Sequence, residues 1–566
     1  MTWTFDISNE HLGQPQQMNR MKTESPRIHL VIMMLFTIAA PLAFANTQPN
    51  VIFIMADDLG YGDLGCYGAK HFKTPACDRL AREGMRFTDA HSPSSVCTPT
   101  RYSVLTGRYA WRSWLKNWVV QQNHPLLIDT ERLTMGRFFQ NAGYTTACVG
   151  KWHLGWGTEL DTDFSGEVKP GPLEVGFDSF FGVPFSHNSA KKLQVYMRDR
   201  RIVNLKPGLD YDSDEAMKTT VRKLEDTAIE LSREAVAFVE RNKNKPFFLF
   251  YPTTNIHFPL TPNSPFKGST KAGVYGEFVV EFDWAVGELL AALDRHDLAA
   301  NTIVVLTSDN GARPHKDLNS HLCNGSWRGT KRQIYEGGHR VPLVVRWPER
   351  IKKGLVSDEV VCLNDFFATF AAMLEQPVPA SAGEDSYDLS DVLLGRSYKQ
   401  PLRQATVHHS VSGQFAIRKG EWKLIEGGGD GDFPWNSKGE KGVKTKTPDR
   451  DPNTGRWTKL DYFQLQPDGN FQLYNLDIDP EEKNNLAPKH PEMVKELHSL
   501  LNRYRASGRS VPVEQDADQP TTAVESKSEG DEKPEPESGD TELKTSLTTP
   551  GQTKPFSAYF AYISRL

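Results

Sequence analysis

The 566-residue chain holds only six cysteines, at positions 66, 77, 97, 148, 323 and 362, and none of them forms a C-x-x-C pair. Disulfide scaffolds and structural zinc sites both need cysteines at close, regular spacing, so neither is expected. With Cys97 set aside, the other five allow at most two disulfides, and their spacing pairs none of them. Positive charge is not in excess either. Lys and Arg number 66 against 71 Asp and Glu, a net charge of −5. That balance excludes a nucleic-acid-coating surface and disfavours capture of a polyanion by the whole protein, while leaving room for local positive charge in a pocket. Long hydrophobic runs are missing outside residues 28–45, and there is no internal repeat.

The run at 28–45 is preceded by Lys22 and Arg27 and closed by Ala43-Phe44-Ala45. This reads as a secretory signal peptide cleaved after Ala45, which predicts a secreted or periplasmic protein. Pro41 and the short apolar core argue against a membrane span. The polar stretch before it makes Met18 and Met21 alternative starts.

What remains is ordinary globular sequence, 38% hydrophobic and 10% aromatic, long enough for two or three domains. Short apolar runs rich in β-branched and aromatic residues occur at 50–55, 144–149, 247–251, 302–307 and 341–345. Helical patterns lie between them. Thr227 and Glu230 form a capping-box pattern before Leu231, Ala235 and Phe238, and a longer apolar stripe runs from Val279 to Leu293. Strands alternating with helices predict an α/β domain on a largely parallel sheet, spanning 46–385. Beyond it, short alternating runs between His408 and Leu476 and a helical pattern from Glu492 to Tyr504 predict a smaller antiparallel-sheet subdomain over 386–512. Residues 513–566 are mostly Glu, Asp, Thr, Ser, Pro and Lys, an acidic tail too polar to order itself.

The strands share one property: polar, reactive residues stand at or just past their C-terminal ends, where open α/β sheets place ligands. Asp57-Asp58 follows the first, Lys151-Trp152-His153 the second, Asn255-Ile256-His257 the third and Asp309-Asn310 the fourth, with Lys331 ahead of the fifth. Singly each has an ordinary explanation, such as a helix cap or a turn. Together, Asp57, Asp58, Asp309 and Asn310 offer the all-oxygen donor set of a hard cation such as Ca²⁺ or Mg²⁺.

Residues 97–101, Cys-Thr-Pro-Thr-Arg, followed by Leu105-Thr106-Gly107, resemble the C-x-P-x-R signature of the formylglycine-dependent sulfatases, the arylsulfatase A-like and carbohydrate sulfatase group. Further phrases resemble that family in the same order: Asp-Asp-Leu-Gly-Tyr-Gly-Asp at 57–63, Gly-Lys-Trp-His-Leu-Gly at 150–155, His257, Ser-Asp-Asn-Gly at 308–311, Arg328-Gly329-Thr330-Lys331 with Glu336-Gly337-Gly338, and Leu473-Tyr474-Asn475-Leu476. The resemblance implies an alkaline-phosphatase-like fold and conversion of Cys97 to formylglycine by a formylglycine-generating or anaerobic sulfatase-maturing enzyme. Its hydrate would be the nucleophile, held by Arg101 and by a calcium ion on Asp57, Asp58, Asp309, Asn310 and position 97. Lys151 and Lys331 would stabilise the sulfuryl oxygens, His257 would protonate the leaving alcohol, and His153 would take the proton of the second diol hydroxyl. The substrate class implied is a sulfated carbohydrate or small molecule. Trp156, His187, Asn188, Trp435 and Trp457 are candidate sugar contacts, each equally able to be packing or surface. Two other readings remain open on sequence alone: a phosphomonoester or phosphonate hydrolase of the same fold, and a non-catalytic, calcium-dependent binder of sulfated glycans.

Overall fold

Every second residue of an extended strand points to the opposite face, so a strand apolar throughout must be covered on both sides. Strand Asn50–Ala56 obeys this rule. Val51, Phe53 and Met55 enter one core, while Ile52, Ile54 and Ala56 enter another. It lies parallel to both Phe247–Pro252 and Thr302–Ser308, and Thr145–Lys151 lies parallel to Phe247–Pro252 on its other side. Strand Leu343–Arg346 runs antiparallel to its neighbours. In order across the sheet, the ten strands begin at residues 355, 85, 343, 302, 50, 247, 145, 179, 197 and 201. Helices Pro75–Glu83, Thr227–Asn242 and Gly273–Arg295 cover one face. Cys97–Thr106, Met135–Asn141 and Phe366–Met373 cover the other. The protein is therefore α/β, with a mostly parallel sheet between helical layers.

This description comes from a computed structural model that covers residues 48–316, 318–432 and 469–512, with the backbone of strands at 449–450 and 457–459. The signal-peptide reading, the acidic tail and the side chains of Trp435 and Trp457 lie outside the described residues.

A second sheet, of four antiparallel strands, is built from Thr406–His409, Phe415–Lys419, Trp422–Glu426 and Phe471–Asn475. Helix Pro491–Ala506 lays Leu497, Leu500, Leu501 and Tyr504 on it, against Val407, Ile417, Leu424 and Leu473. Each such leucine contributes about 1.5–3 kcal/mol by leaving water.

The two sheets meet across a buried polar cluster. Lys423 Nζ donates to Glu336 Oε1 (3.1 Å) and His339 Nε2 (3.1 Å) and forms an ion pair with Glu482 Oε1 (2.8 Å). With Nε2 accepting, His339 Nδ1 donates to His91 Nδ1 (3.1 Å), and His91 Nε2 donates to Asp89 Oδ1 (2.6 Å). Arg418 and Arg340 complete the shell of Asp89.

Two expectations are corrected. Helix Thr227–Asn242 has no capping box. Thr227 Oγ1 takes a hydrogen bond from the buried Arg222 guanidinium and donates to Lys223 O, while Glu230 pairs with Arg233. A buried guanidinium costs more to leave unsatisfied than a helix end that water can reach. The last parallel-type run, expected over 341–345, forms a strand only over Leu343–Arg346, because Pro342 cannot donate to a ladder. All six cysteines are unpaired, five of them buried.

Candidate active site

Because the central strands are parallel, their C-terminal ends come to one edge, and the residues that follow them meet there. Backbone hydrogen bonds stitch the ends together: Asp57 N donates to Asn255 O (2.7 Å) and Asp309 N to Ala56 O (3.0 Å). Lys331 arrives from a loop pinned by its own N–H to Ala312 O (3.0 Å).

Helix Cys97–Thr106 begins at the same edge. Pro99 fits in its first turn, where an N–H would lack an intrahelical partner, and Gly107 ends it at φ 63°. A Cβ at Gly107 would stand 2.8 Å from Gly383 Cα, so only glycine fits. The first helical residue is Cys97, 3% exposed, with Sγ 3.3 Å from His153 Nδ1. His153 Nε2 donates to Val120 O (3.1 Å), so Nδ1 is the nitrogen with the free lone pair. Burial, with Lys151 and Arg101 nearby, pushes this imidazole well below its usual range and keeps it neutral. Burial pushes the Cys97 thiol up, opposed by Lys151 and Lys331.

Around them three carboxylates meet three cations. Lys151 Nζ donates to both oxygens of Asp57 (3.0 and 2.8 Å), and Lys331 Nζ reaches Asp58 at 2.5 and 2.8 Å. Arg101 donates through Nε and Nη2 to Asp309 Oδ2 (3.1 and 2.7 Å) and through Nη1 to Lys151 O (3.0 Å). Its guanidinium is thus spent chiefly on the cation-ligand candidate Asp309 and the Lys151 backbone. Asn310 donates to Asp58 Oδ1 (2.8 Å), yet its own buried Oδ1 has no hydrogen-bond partner among the described residues. Burial pushes the Asp57 carboxyl up to about 7, with Lys151 opposing and Asp309 and Asp58 adding to it. At Asp58, burial is outweighed by Lys331, His257 and Lys151, and the carboxyl is held below its usual range. An orphaned amide oxygen beside crowded carboxylates is the donor set of a hard cation, and these residues fit one. Since the fixed charges already cancel, a divalent ion would leave the pocket net positive, suited to an anionic ester.

His257 stands at the outer side. Its Nδ1 donates to Phe258 O (2.6 Å), which turns Nε2 toward Ser186 Oγ (3.4 Å) and Asp58 Oδ2 (4.0 Å). Asp57, Asp58 and His257 each present a ligand-type atom within 4.8 Å of the others. The structure thus brings together Cys97, Arg101, Lys151, His153, His257, Lys331, Asp57, Asp58, Asp309 and Asn310. It does not bring all the suggested sugar contacts to a surface. Trp156 is fully buried against Phe164 and Phe180, and His187 is buried between Thr261 and Arg222. Asn188 is exposed. Ser186 and Thr98 were missed as members of the site, since isolated hydroxyl residues carry no pattern.

A mostly parallel sheet whose C-terminal edge gathers carboxylates, ammonium groups and a helix start defines a hydrolase of anionic esters with the alkaline-phosphatase-like fold. The chain belongs to the sulfatase family, whose model matches residues 49–375, and a second model, described as N-sulphoglucosamine sulphohydrolase, C-terminal, matches 326–432. It is 35% identical over 506 residues to an N-acetylgalactosamine-6-O-sulfatase of Bacteroides thetaiotaomicron, covering 81% of this chain and 94% of that protein. Human arylsulfatase A is 35% identical over 404 residues, covering 69% and 77%. A solved B. thetaiotaomicron structure from its metabolism of multiple glycosaminoglycans superposes with TM-score 0.71 at 34% identity, over 81% of this chain and all of that one. A phosphonate monoester hydrolase of Agrobacterium radiobacter, at TM-score 0.52 and 16% identity over 81% and 96% of the two chains, shares the fold. The protein is a sulfuric ester hydrolase, which sets aside the non-catalytic binder.

Proposed function

We propose that the protein is an exported sulfatase that hydrolyses a carbohydrate sulfate ester to the alcohol and inorganic sulfate, with a nucleophile made from Cys97. The observation that carries this reading is the seat of Cys97, at a helix N-terminus and 3.3 Å from the lone-pair nitrogen of His153. Formylglycine at that position would supply, once hydrated, one hydroxyl that attacks sulfur and a second whose deprotonation expels sulfate. Calcium, or magnesium, on Asp57, Asp58, Asp309, Asn310 and position 97 would supply Lewis-acid polarisation of the ester.

The remaining work falls to the chain's own side chains. Lys151 and Lys331 set two ammonium charges where sulfuryl oxygens crowd, and the helix N-terminus adds its partial positive charge. Arg101 orders Asp309 and Lys151 and sits one turn behind position 97. His153 Nδ1 accepts a proton from the group at 97. His257 Nε2 hands one to the departing alcohol; burial and Lys331 disfavour its imidazolium, and the charge of a bound anionic ester restores it.

Export follows from the reading of residues 1–45 as a signal peptide, with 46–385 as catalytic domain, 386–512 as C-terminal subdomain and 513–566 as an acidic tail. No helix of the described residues is long and apolar enough to cross a membrane. The partners are the sulfated substrate and the maturation enzyme, with no nucleic acid. A 6-O-sulfated amino sugar is the first substrate to try, after the substrate named for the B. thetaiotaomicron relative.

The test is release of inorganic sulfate from N-acetylgalactosamine 6-sulfate, its 4-sulfate and p-nitrophenyl sulfate, beside p-nitrophenyl phosphate. The tryptic peptide carrying position 97 is weighed in parallel, formylglycine being about 18 Da lighter than cysteine. Cleavage of the phosphate alone, or an unmodified cysteine in fully active protein, defeats the proposal.

A further inference from the structure

Thr98 sits next in sequence to the nucleophile position, and its hydroxyl bonds to backbone. It is fully buried, donates to His153 O (2.9 Å) and accepts from Val120 N (3.2 Å). Val120 O in turn accepts from His153 Nε2 (3.1 Å). The contacts close a ring: Thr98 holds the backbone of His153 and the backbone of Val120, and Val120 holds the imidazole. His153 has φ 55°, a left-handed backbone that a residue with a side chain keeps only when its surroundings hold it there. Trp118 N, two residues before Val120, is tied to Val411 O (2.8 Å), so the Val120 end of the ring is itself anchored.

We propose that Thr98 is a positioning residue for the reaction: its hydroxyl clamps both ends of His153, keeping Nε2 protonated against Val120 and Nδ1 open toward position 97. This rests on the reading above that His153 takes a proton from the group at 97. The chemistry asks for a hydroxyl at 98, because only a group that donates and accepts at once can bridge a carbonyl and an N–H. Serine satisfies that requirement; valine, of the same shape, does not.

The experiment compares T98V and T98S in the matured enzyme, alone and with H153A. Since residue 98 lies inside the stretch that resembles the maturation signature, the aldehyde fraction at 97 is measured for each variant and rates are expressed per aldehyde. The expected result is a kcat loss in T98V approaching the about 10²-fold typical of a misplaced catalytic group, with KM little changed and T98S near wild type. In the H153A background, T98V is expected to cost almost nothing more, since the two act as one unit. A readout independent of turnover is the imidazole ¹⁵N spectrum of unmodified protein: a single Nε2–H tautomer for His153 in wild type and T98S, mixed tautomers in T98V. Wild-type turnover in T98V while H153A is impaired overturns the clamp, as does a full multiplicative loss in the double variant. Wild-type turnover in H153A instead overturns the role of His153, and the clamp's catalytic meaning with it. Should T98V not fold, T98A makes the same comparison.

Discussion

Four residues of chain separate Ser92, which accepts a hydrogen bond from His408 in one buried charged cluster, from Cys97, which faces another. The two clusters have the same formal composition. Asp89, Glu336 and Glu482 meet Arg340, Arg418 and Lys423 in the first; Asp57, Asp58 and Asp309 meet Arg101, Lys151 and Lys331 in the second. The first even gathers three imidazoles, His91, His339 and His408, at metal-ligand separation. Yet the Lys423 ammonium sits among Glu336, Glu482 and His339, and the rings of His339 and His408 stack 3.9 Å apart at 8°. Lone pairs in parallel ring planes do not converge on one ion, so this cluster is a weld between the sheets. The second cluster leaves an amide oxygen orphaned and a carboxyl pushed up to about 7. Charge balance therefore does not distinguish a structural cluster from a reactive one, nor does an unpaired atom, since His408 Nε2 and Glu482 Oε1 of the first cluster also have no hydrogen-bond partner among the described residues; the kind of donor left over does, an amide oxygen beside carboxylates in one and a stacked imidazole beside an ammonium in the other.

That contrast can be broken by experiment, beginning where the expected effect is greatest. Cys97→Ala is expected to abolish sulfate release while the melting temperature stays within a few degrees, about the range of a surface-like change. Residual turnover near wild type would place the reaction elsewhere. Chelation with EGTA or EDTA should lower activity at least about 10²-fold, restored by Ca²⁺ or Mg²⁺, given that a Lewis acid supplies several kcal/mol. Metal analysis of the same preparation should find no stoichiometric zinc, nickel or copper. Any of these at one per chain, surviving D58N, would turn the three-histidine cluster into a site.

Lys423→Met should cost about 3–5 kcal/mol in urea unfolding, because Glu336 and Glu482 are left buried with a partner removed. The folded fraction should keep its turnover rate, and a variant of undiminished stability would contradict the weld. The smallest effect is a pH dependence. Burial, reinforced by neighbouring cations and imidazoles, pushes His408 and His339 well below the ordinary range and lowers His91. Below about pH 6.5 the unfolded chain therefore binds protons that the folded one refuses. The contribution of these three histidines should be flat above that pH and fall as pH decreases, by up to about 1.4 kcal/mol per pH unit for each proton, against the opposite slope of the raised Asp57 and Glu281 carboxyls. Denaturation midpoints at pH 7, 6 and 5 measure this. His408→Phe, which can stack without titrating, should remove its share of that fall, read as the difference from wild type at each pH.

Much of the reactive cluster was legible in the chain because its members sit at strand ends, where local pattern and topology coincide. Apolar runs ending in Asp57-Asp58, Lys151 and Asp309-Asn310 announce both the strands and their edge. The start and stop of the Cys97 helix are equally local, in Pro99 and Gly107. Some of the weld's residues, His408, Arg418 and Lys423, lie in readable strands, but nothing in Lys423 or His339 by itself says that they touch.

Sequence alone thus determined the α/β alternation, the edge at which the site would lie and the residue types available there, since these follow from periodicity and from the short-range chemistry of turns and helix ends. Only the tertiary structure decided which partners each group would have. It joined Arg101 to Asp309 across 208 residues and Lys423 to Glu336 across 87. It also set which nitrogen of His153 faces position 97. The physical reason is that a buried polar atom's state depends on every neighbour within hydrogen-bonding reach, and packing brings those neighbours from anywhere in the chain.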